Sequence, residues 1–182
     1  YGHCLGVSLS SGFNPPKGIF STTISSNIIS CNASYATSIE GIVLQSGPSN
    51  YLNSTTVFNN TVTAYLPGVT TFGNIVGIVV DPGVSGGTNI TNNTINSTVS
   101  DIYVRDSGNN IIHDNTYLGE DRGILYQAND GWSTNINNSF GGDFQGKVGI
   151  EVYGSGDPNT EIDIYENSTF TGKGVNISVN NI

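Results

Sequence analysis

Residues 77–81 read GIVVD and residues 89–95 read NITNNTI, and both units return along the chain. The first has the form Gly-Ile-x-Val and recurs as GIVLQ at 41–45, DIYVR at 101–105, GILYQ at 123–127, GIEVY at 149–153 and GVNIS at 174–178. From residue 77 onward successive copies lie 24, 22, 26 and 25 residues apart. Two earlier intervals are longer, 36 residues from Gly41 to Gly77 and about 35 back to GVSLS at 6–10, as loops inserted into a repeat would make them. A period of this length, carrying one strand-like unit per copy, marks an array in which each repeat buries its apolar face against its neighbours.

The second unit recurs as IISCNASY at 28–35, TVFNNTV at 56–62, IIHDNTY at 111–117, NINNSF at 135–140 and IDIYENSTF at 162–170. Aligned on asparagine, these segments put Asn32, Asn60, Asn93, Asn115, Asn138 and Asn167 in one column. An apolar column precedes it (Ile29, Val57, Ile90, Ile112, Ile136, Ile164) and another follows (Tyr35, Val62, Ile95, Tyr117, Phe140, Phe170). In parallel strands about 4.8 Å apart, an asparagine at a bend can donate its amide to the equivalent residue on one side and accept from the other. Gly and Asn also tolerate the left-handed backbone that tight bends require. An antiparallel β-sandwich is the alternative, and the regular period speaks against it.

The Gly-Ile-x-Val strands and Asn-Asn-Thr-Ile bends resemble those of the right-handed parallel β-helix of the pectate-lyase-like superfamily, especially the NosD-like parallel β-helix repeat proteins. The resemblance covers roughly residues 6–182 and implies an all-β, right-handed parallel β-helix (solenoid) of about six to seven coils with an Asn ladder. Residues 1–182 then form a single domain, with 1–17 as N-terminal segment and first coil and 46–76 as a longer inserted loop. This scaffold hosts lyases, hydrolases, phage spikes, adhesins and surface-layer proteins, so the fold alone does not select a function. Enzymes of the superfamily cluster Asp, Arg or Lys on the outer face of one sheet. Here that face offers Asp81, Asp101, Arg105 and Glu151 without the multi-Asp signature, and a surface ion pair accounts for Asp81 and Arg105 equally well. No catalytic residue is assigned.

Strand alternation makes Ile42, Ile78, Ile102, Ile124, Ile150 and Val175 one inward column and Leu44, Val80, Val104, Tyr126, Val152 and Ile177 a second. Between them Val43, Val79, Tyr103 and Leu125 point outward as an apolar stripe, a surface for assembly or sugar binding unless the 46–76 loop covers it.

Charge narrows the partners. Fourteen acidic residues against five cations give a net charge of −9, and Lys17, Arg105, Arg122, Lys147 and Lys173 are scattered, which argues against nucleic acid and anionic lipid. The chain opens on Tyr1, with no 18-residue apolar run and no leader pattern, and reads as a processed, exported chain without membrane insertion. In that setting Cys4 and Cys31 predict one disulfide tying the N-terminal segment, two free thiols being the alternative. GVSGG at 83–87 matches a nucleophile-elbow pattern but lacks the strand-to-helix context, leaving Ser85 a turn residue. Tyr1-Gly2-His3 could wrap Cu²⁺, and the NosD-like resemblance implies copper handling. With no further His or Met cluster, no metal site and no cofactor are expected.

Nine Asn-x-Ser/Thr sequons occur. Asn53, Asn59, Asn89, Asn92, Asn96 and Asn137 fall on outward or loop positions, and Asn176 on an outward strand position. Asn32 and Asn167 fall in the inward asparagine column, where no glycan would fit. Both ends of the chain lie within the repeat pattern, and uncapped ends invite head-to-tail stacking. The expected function is therefore a structural subunit of an extracellular, cell-surface filament or coat, N-glycosylated, archaeal, its partners copies of itself and N-linked glycans. The alternative is a carbohydrate-active or carbohydrate-binding β-helix, a polysaccharide lyase or depolymerase.

Overall fold

The computed structural model of the chain describes residues 2–11, 19–46, 52–69, 75–81, 86–128, 138–154 and 162–179. Ile, Gly, Ser, Asn, Thr and Val dominate them, a mixture that favours strands and tight bends over helix, and strands alone form. In chain order they are β1 (His3–Ser11), β2 (Ile19–Phe20), β3 (Thr23–Ser25), β4 (Ile28–Asn32), β5 (Ser38–Ser46), β6 (Leu52–Phe58), β7 (Thr61–Tyr65), β8 (Ile75–Val80) and β9 (Gly86–Thr91). There follow β10 (Thr94–Ser97), β11 (Ser100–Arg105), β12 (Ile111–Tyr117), β13 (Arg122–Ala128), β14 (Asn138–Phe144), β15 (Val148–Gly154), β16 (Ile162–Ile164), β17 (Thr169–Phe170) and β18 (Lys173–Val179). No described helix is long and apolar enough to cross a membrane.

A seven-stranded sheet runs β1-β5-β8-β11-β13-β15-β18, parallel throughout. Its neighbours are the copies of Gly-Ile-x-Val: Val7 pairs Ile42, Ile42 pairs Ile78, Ile78 pairs Ile102, and the line continues through Ile124 and Ile150 to Val175. The second sheet takes the bend-flanking strands in the order β2-β6-β9-β12-β10-β7-β4, with β14 beside β12. β12 joins its two halves, Ile111 to His113 lying along β9 and Thr116 and Tyr117 along β10. The bend between them is at Asp114, whose φ is 57°. Residues 46–76, expected as an inserted loop, contain β6 and β7, because Thr55-Val57 and Val62-Ala64 carry the same in-out alternation as the other repeats.

The core lies between the sheets. Ile42, Ile78, Ile102, Ile124 and Ile150 are fully buried, as are Leu44, Val80, Val104 and Tyr126. The glycine that opens each Gly-Ile-x-Val unit sits at a break in the ladder pairing, where its backbone packs on the opposite sheet. A Cβ on Gly77 would overlap Ile95 and approach the Asp101 carbonyl to 2.7 Å; on Gly149 it would overlap Phe170. Asp101 alone carries a side chain in this column.

Corrections to the alignment fall at two repeats. In register, the first bend column is Ile24, Val57, Ile90, Ile112, Phe140, Ile164 and the second is Ile29, Val62, Ile95, Tyr117, Phe144, Phe170. Ile29 and Phe140 thus change columns, Phe144 replaces Phe140, and Tyr35 is exposed; Ile136 lies outside the described residues. Tyr117, Phe144 and Phe170 stack, with ring centroids 4.3 and 4.9 Å apart.

Candidate functional site

Two surfaces and one internal device are candidates: the asparagine bends, the outer face of the seven-stranded sheet, and the sequons around them. At the bends, Asn60 donates both its backbone N–H (2.9 Å) and its side-chain amide (3.0 Å) to Asn93 Oδ1. Asn93 does the same to Asn115 Oδ1 at 2.9 and 3.0 Å, and Asn27 to Asn60 Oδ1 at 3.0 and 2.9 Å. The remaining side-chain donors reach main-chain carbonyls, Asn93 those of Val57 (2.9 Å) and Thr91 (3.0 Å). The residue before each linked asparagine is left-handed: Ser26, Asn59, Asn92 and Asp114 have φ between 54° and 58°. The bend therefore reads as one exposed polar residue that tolerates αL followed by one inward asparagine.

Of the expected column, Asn60, Asn93 and Asn115 are linked. Asn27 stands where Asn32 was expected; Asn32 is exposed and donates to Ser30 Oγ at 2.9 Å. Asn138 accepts instead from Asn110, at 2.8 Å from its side chain, in a separate buried pair. Beyond Asn115 the equivalent position is Gly142 and then Ser168, whose Oγ accepts from the Gly142 N–H at 3.3 Å, and Asn167 beside it is exposed. Gly142 is required there because a Cβ would meet the Asn115 carbonyl at 2.5 Å and the Tyr117 ring at 2.7 Å. The Tyr117 hydroxyl occupies this space, taking a hydrogen bond from Asn115 at 3.3 Å and donating to the Gly141 carbonyl at 3.2 Å.

On the outer face of the seven-stranded sheet the carboxylates are paired. Arg105 meets Asp81 at 2.7 Å. Burial raises the Asp81 carboxyl above the usual range, against the pull of Arg105. Arg122 contacts both Asp121 and Glu151, Lys147 lies 3.7 Å from Asp121, and Asn176 donates to Glu151 at 3.1 Å. Asp101 is not on this face. It is buried at the corner between β10 and β11, accepting from the Ser97 N–H at 2.7 Å and the Gly119 N–H at 2.9 Å, and burial pushes its carboxyl up to about 8.

The apolar stripe is not an exposed one. Val43, Val79 and Leu125 are buried and Tyr103 is half-buried. Val43 and Val79 pack with Val76 and Tyr103 as a second apolar cluster, separate from the main core, and Tyr103 donates to Gln127.

Asn59, Asn89, Asn92 and Asn96 are exposed, Asn176 is half-buried, and Asn32 and Asn167 are as open as the first four. The side chain of Asn53 and all of Asn137 lie outside the described residues, as do Tyr1 of the Tyr1-Gly2-His3 motif and Ser85. His3 Nε2 lies 3.2 Å from Glu40 Oε2. Among the described residues no three His, Cys, Asp or Glu side chains are grouped to hold a metal ion. Cys4 and Cys31 are unbonded thiols in place of the expected disulfide, and Cys31 Sγ donates to the Glu40 carbonyl at 3.6 Å.

No family model, curated protein or solved structure matches this chain. Sequence reasoning missed Asn27, Asn110 and the internal role of Asp101. The first was detectable, since each linked asparagine has an apolar residue three before and two after it (Ile24 and Ile29 around Asn27, Val57 and Val62 around Asn60), a spacing that Asn32 breaks with Ser34.

Proposed function

We propose that the chain winds as a right-handed parallel β-helix of about six to seven coils with an internal asparagine ladder, and that it is the structural subunit of an extracellular, N-glycosylated surface filament or coat built by head-to-tail stacking. The observation that carries this reading is the emergence of the inward columns at the surface of β18. Val175 is 43% and Ile177 67% exposed, whereas the residues they follow in register are buried. At the opposite edge of the sheet, β1 presents Val7 and Leu9 in the same two columns, both half-buried. A second copy laid with its β1 on β18 would set Val7 over Val175 and Leu9 over Ile177, extending both columns and pairing two edges that no other described strand pairs. Such a contact joins two different surfaces, so it propagates rather than closes. Exposed polar bends and sequons leave the sides of the stack available for glycans.

Sedimentation tests it. The native chain should form concentration-dependent polymers, and Ile177→Asp should remain monomeric with an unchanged β-type circular dichroism spectrum. A native chain that stays monomeric at every concentration, or an Ile177→Asp variant that polymerises like the native one, would contradict the proposal.

A further inference from the structure

We infer that Cys4 and Cys31 are a reversible disulfide latch that clamps the two sheets together at the β1 end of the molecule. Cys4 lies on β1, the edge strand of the seven-stranded sheet, and Cys31 on β4, the edge strand of the other sheet. Cys4 packs against the core cluster to which Cys31 belongs, close enough for the two thiols to influence each other electrostatically. Gly6, on the same strand as Cys4, makes this approach possible: a Cβ there would come within 2.5 Å of Ile29 and 3.4 Å of Cys31 Sγ.

The two sulfurs are unequal. Cys4 is half-buried and reachable, whereas Cys31 is buried, holds the Glu40 carbonyl, and has its thiol pushed up to about 11 by burial and by Cys4. Attack from outside therefore falls on Cys4, because the thiolate is the nucleophile and access controls the rate. With a small-molecule disulfide such as oxidised glutathione, the Cys4 thiolate forms a mixed disulfide and releases one glutathione thiol. Cys31, losing its proton to solvent, then attacks the Cys4 sulfur and releases the second. Two thiol hydrogens and two electrons pass to the oxidant, and excess reduced glutathione reverses both steps. In the reduced state β1 is held by its pairing with β5 and by packing; in the oxidised state it is also tied to the opposite sheet.

Intact-mass measurement of the folded chain in glutathione buffers of graded potential tests the latch. The native chain should lose two hydrogens as a monomer, regain them with reductant, and melt roughly 5–10 °C higher when oxidised. Cys31→Ser should stop at a stable glutathione adduct on Cys4, and Cys4→Ser should stay unmodified while folded. A native chain that ends as a glutathione adduct, as two free thiols or as a covalent dimer would overturn the inference, as would fast modification of Cys31 in Cys4→Ser.

Discussion

Asn93 Oδ1 accepts from both the main-chain N–H and the side-chain amide of Asn60. One oxygen thus satisfies a buried backbone donor at a bend and orders the asparagine that repeats the arrangement on the next strand. Asn93→Ala removes the acceptor of the Asn60 backbone N–H and one donor each from the Val57 and Thr91 carbonyls, while the Asn60 amide keeps the Ile24 and Phe58 carbonyls and Thr91 keeps the Asn59 N–H. The expected loss is about 2–4 kcal/mol by chemical denaturation, from a buried backbone donor left unsatisfied and the lost ladder bonds. Asn93→Asp separates geometry from charge. Its carboxylate still accepts from Asn60 but faces the Val57 and Thr91 carbonyls and Asn115 Oδ1. That variant should gain stability as pH falls and the carboxyl takes a proton, opposite to the trend for an exposed, ion-paired aspartate.

The bend glycines make a paired prediction. Gly149→Ala should be strongly destabilising, by roughly 2–4 kcal/mol, since its methyl would overlap Phe170 and lie 2.8 Å from the Gly174 carbonyl. Gly174→Ala, in the same column, meets nothing nearer than 3.7 Å and should be tolerated within about 1 kcal/mol. Equal losses in thermal unfolding of the two variants would refute this account of the column.

Asp101 predicts a pH dependence. Burial lifts its carboxyl from 3.8 to about 8 in the folded chain. The folded state therefore holds the proton more tightly than the unfolded state. The stability it contributes is complete below the ordinary aspartate range and is lost as pH rises through about 8. The melting temperature of the native chain should fall between pH 5 and pH 9, values chosen to bracket about that window. Asn at position 101 should melt lower but show a flatter profile, and an unchanged slope would assign the titration elsewhere.

Much of the fold is legible in the sequence. The seven-stranded sheet follows the Gly-Ile-x-Val copies residue for residue because each unit occupies one register position, and nothing in the alignment of Ile42, Ile78, Ile102, Ile124 and Ile150 needs tertiary information. The bends were harder. IISCN supplies an asparagine at a plausible place, yet Ser26-Asn27 five residues earlier makes the turn, and at the fifth repeat Gly141-Gly142 replaces asparagine while Tyr117 fills the space. The burial of Val43, Val79 and Leu125 was not legible, because a two-residue alternation says which side a residue faces and not how closely its neighbours on that side pack. Asp101 aligns in sequence with the glycine that opens each unit; only the packing shows that its carboxylate is buried and not on the outer face.

The sequons divide by position. The linked asparagines Asn27, Asn60, Asn93 and Asn115 are not sequons and, apart from Asn27 at the sheet edge, are buried, whereas Asn32, Asn59, Asn89, Asn92, Asn96 and Asn167 are sequons and exposed. Asn59 and Asn92 follow the paired residues Phe58 and Thr91 on adjacent strands, about 4.8 Å apart. Glycopeptide mass spectrometry of native material should find sugar on members of the exposed set, with Asn59 and Asn92 rarely occupied together on one chain. Sugar-free peptides throughout would remove the glycoprotein part of the proposal.

The most direct measurement is electron microscopy of the purified native chain at neutral pH, read for axial repeat. Stacked subunits predict unbranched filaments whose repeat is roughly 30 Å, the height of six or seven strand layers at the β spacing. Discrete particles of one subunit or a closed ring at the same concentration would contradict the filament and leave the exposed columns of β18 without a role.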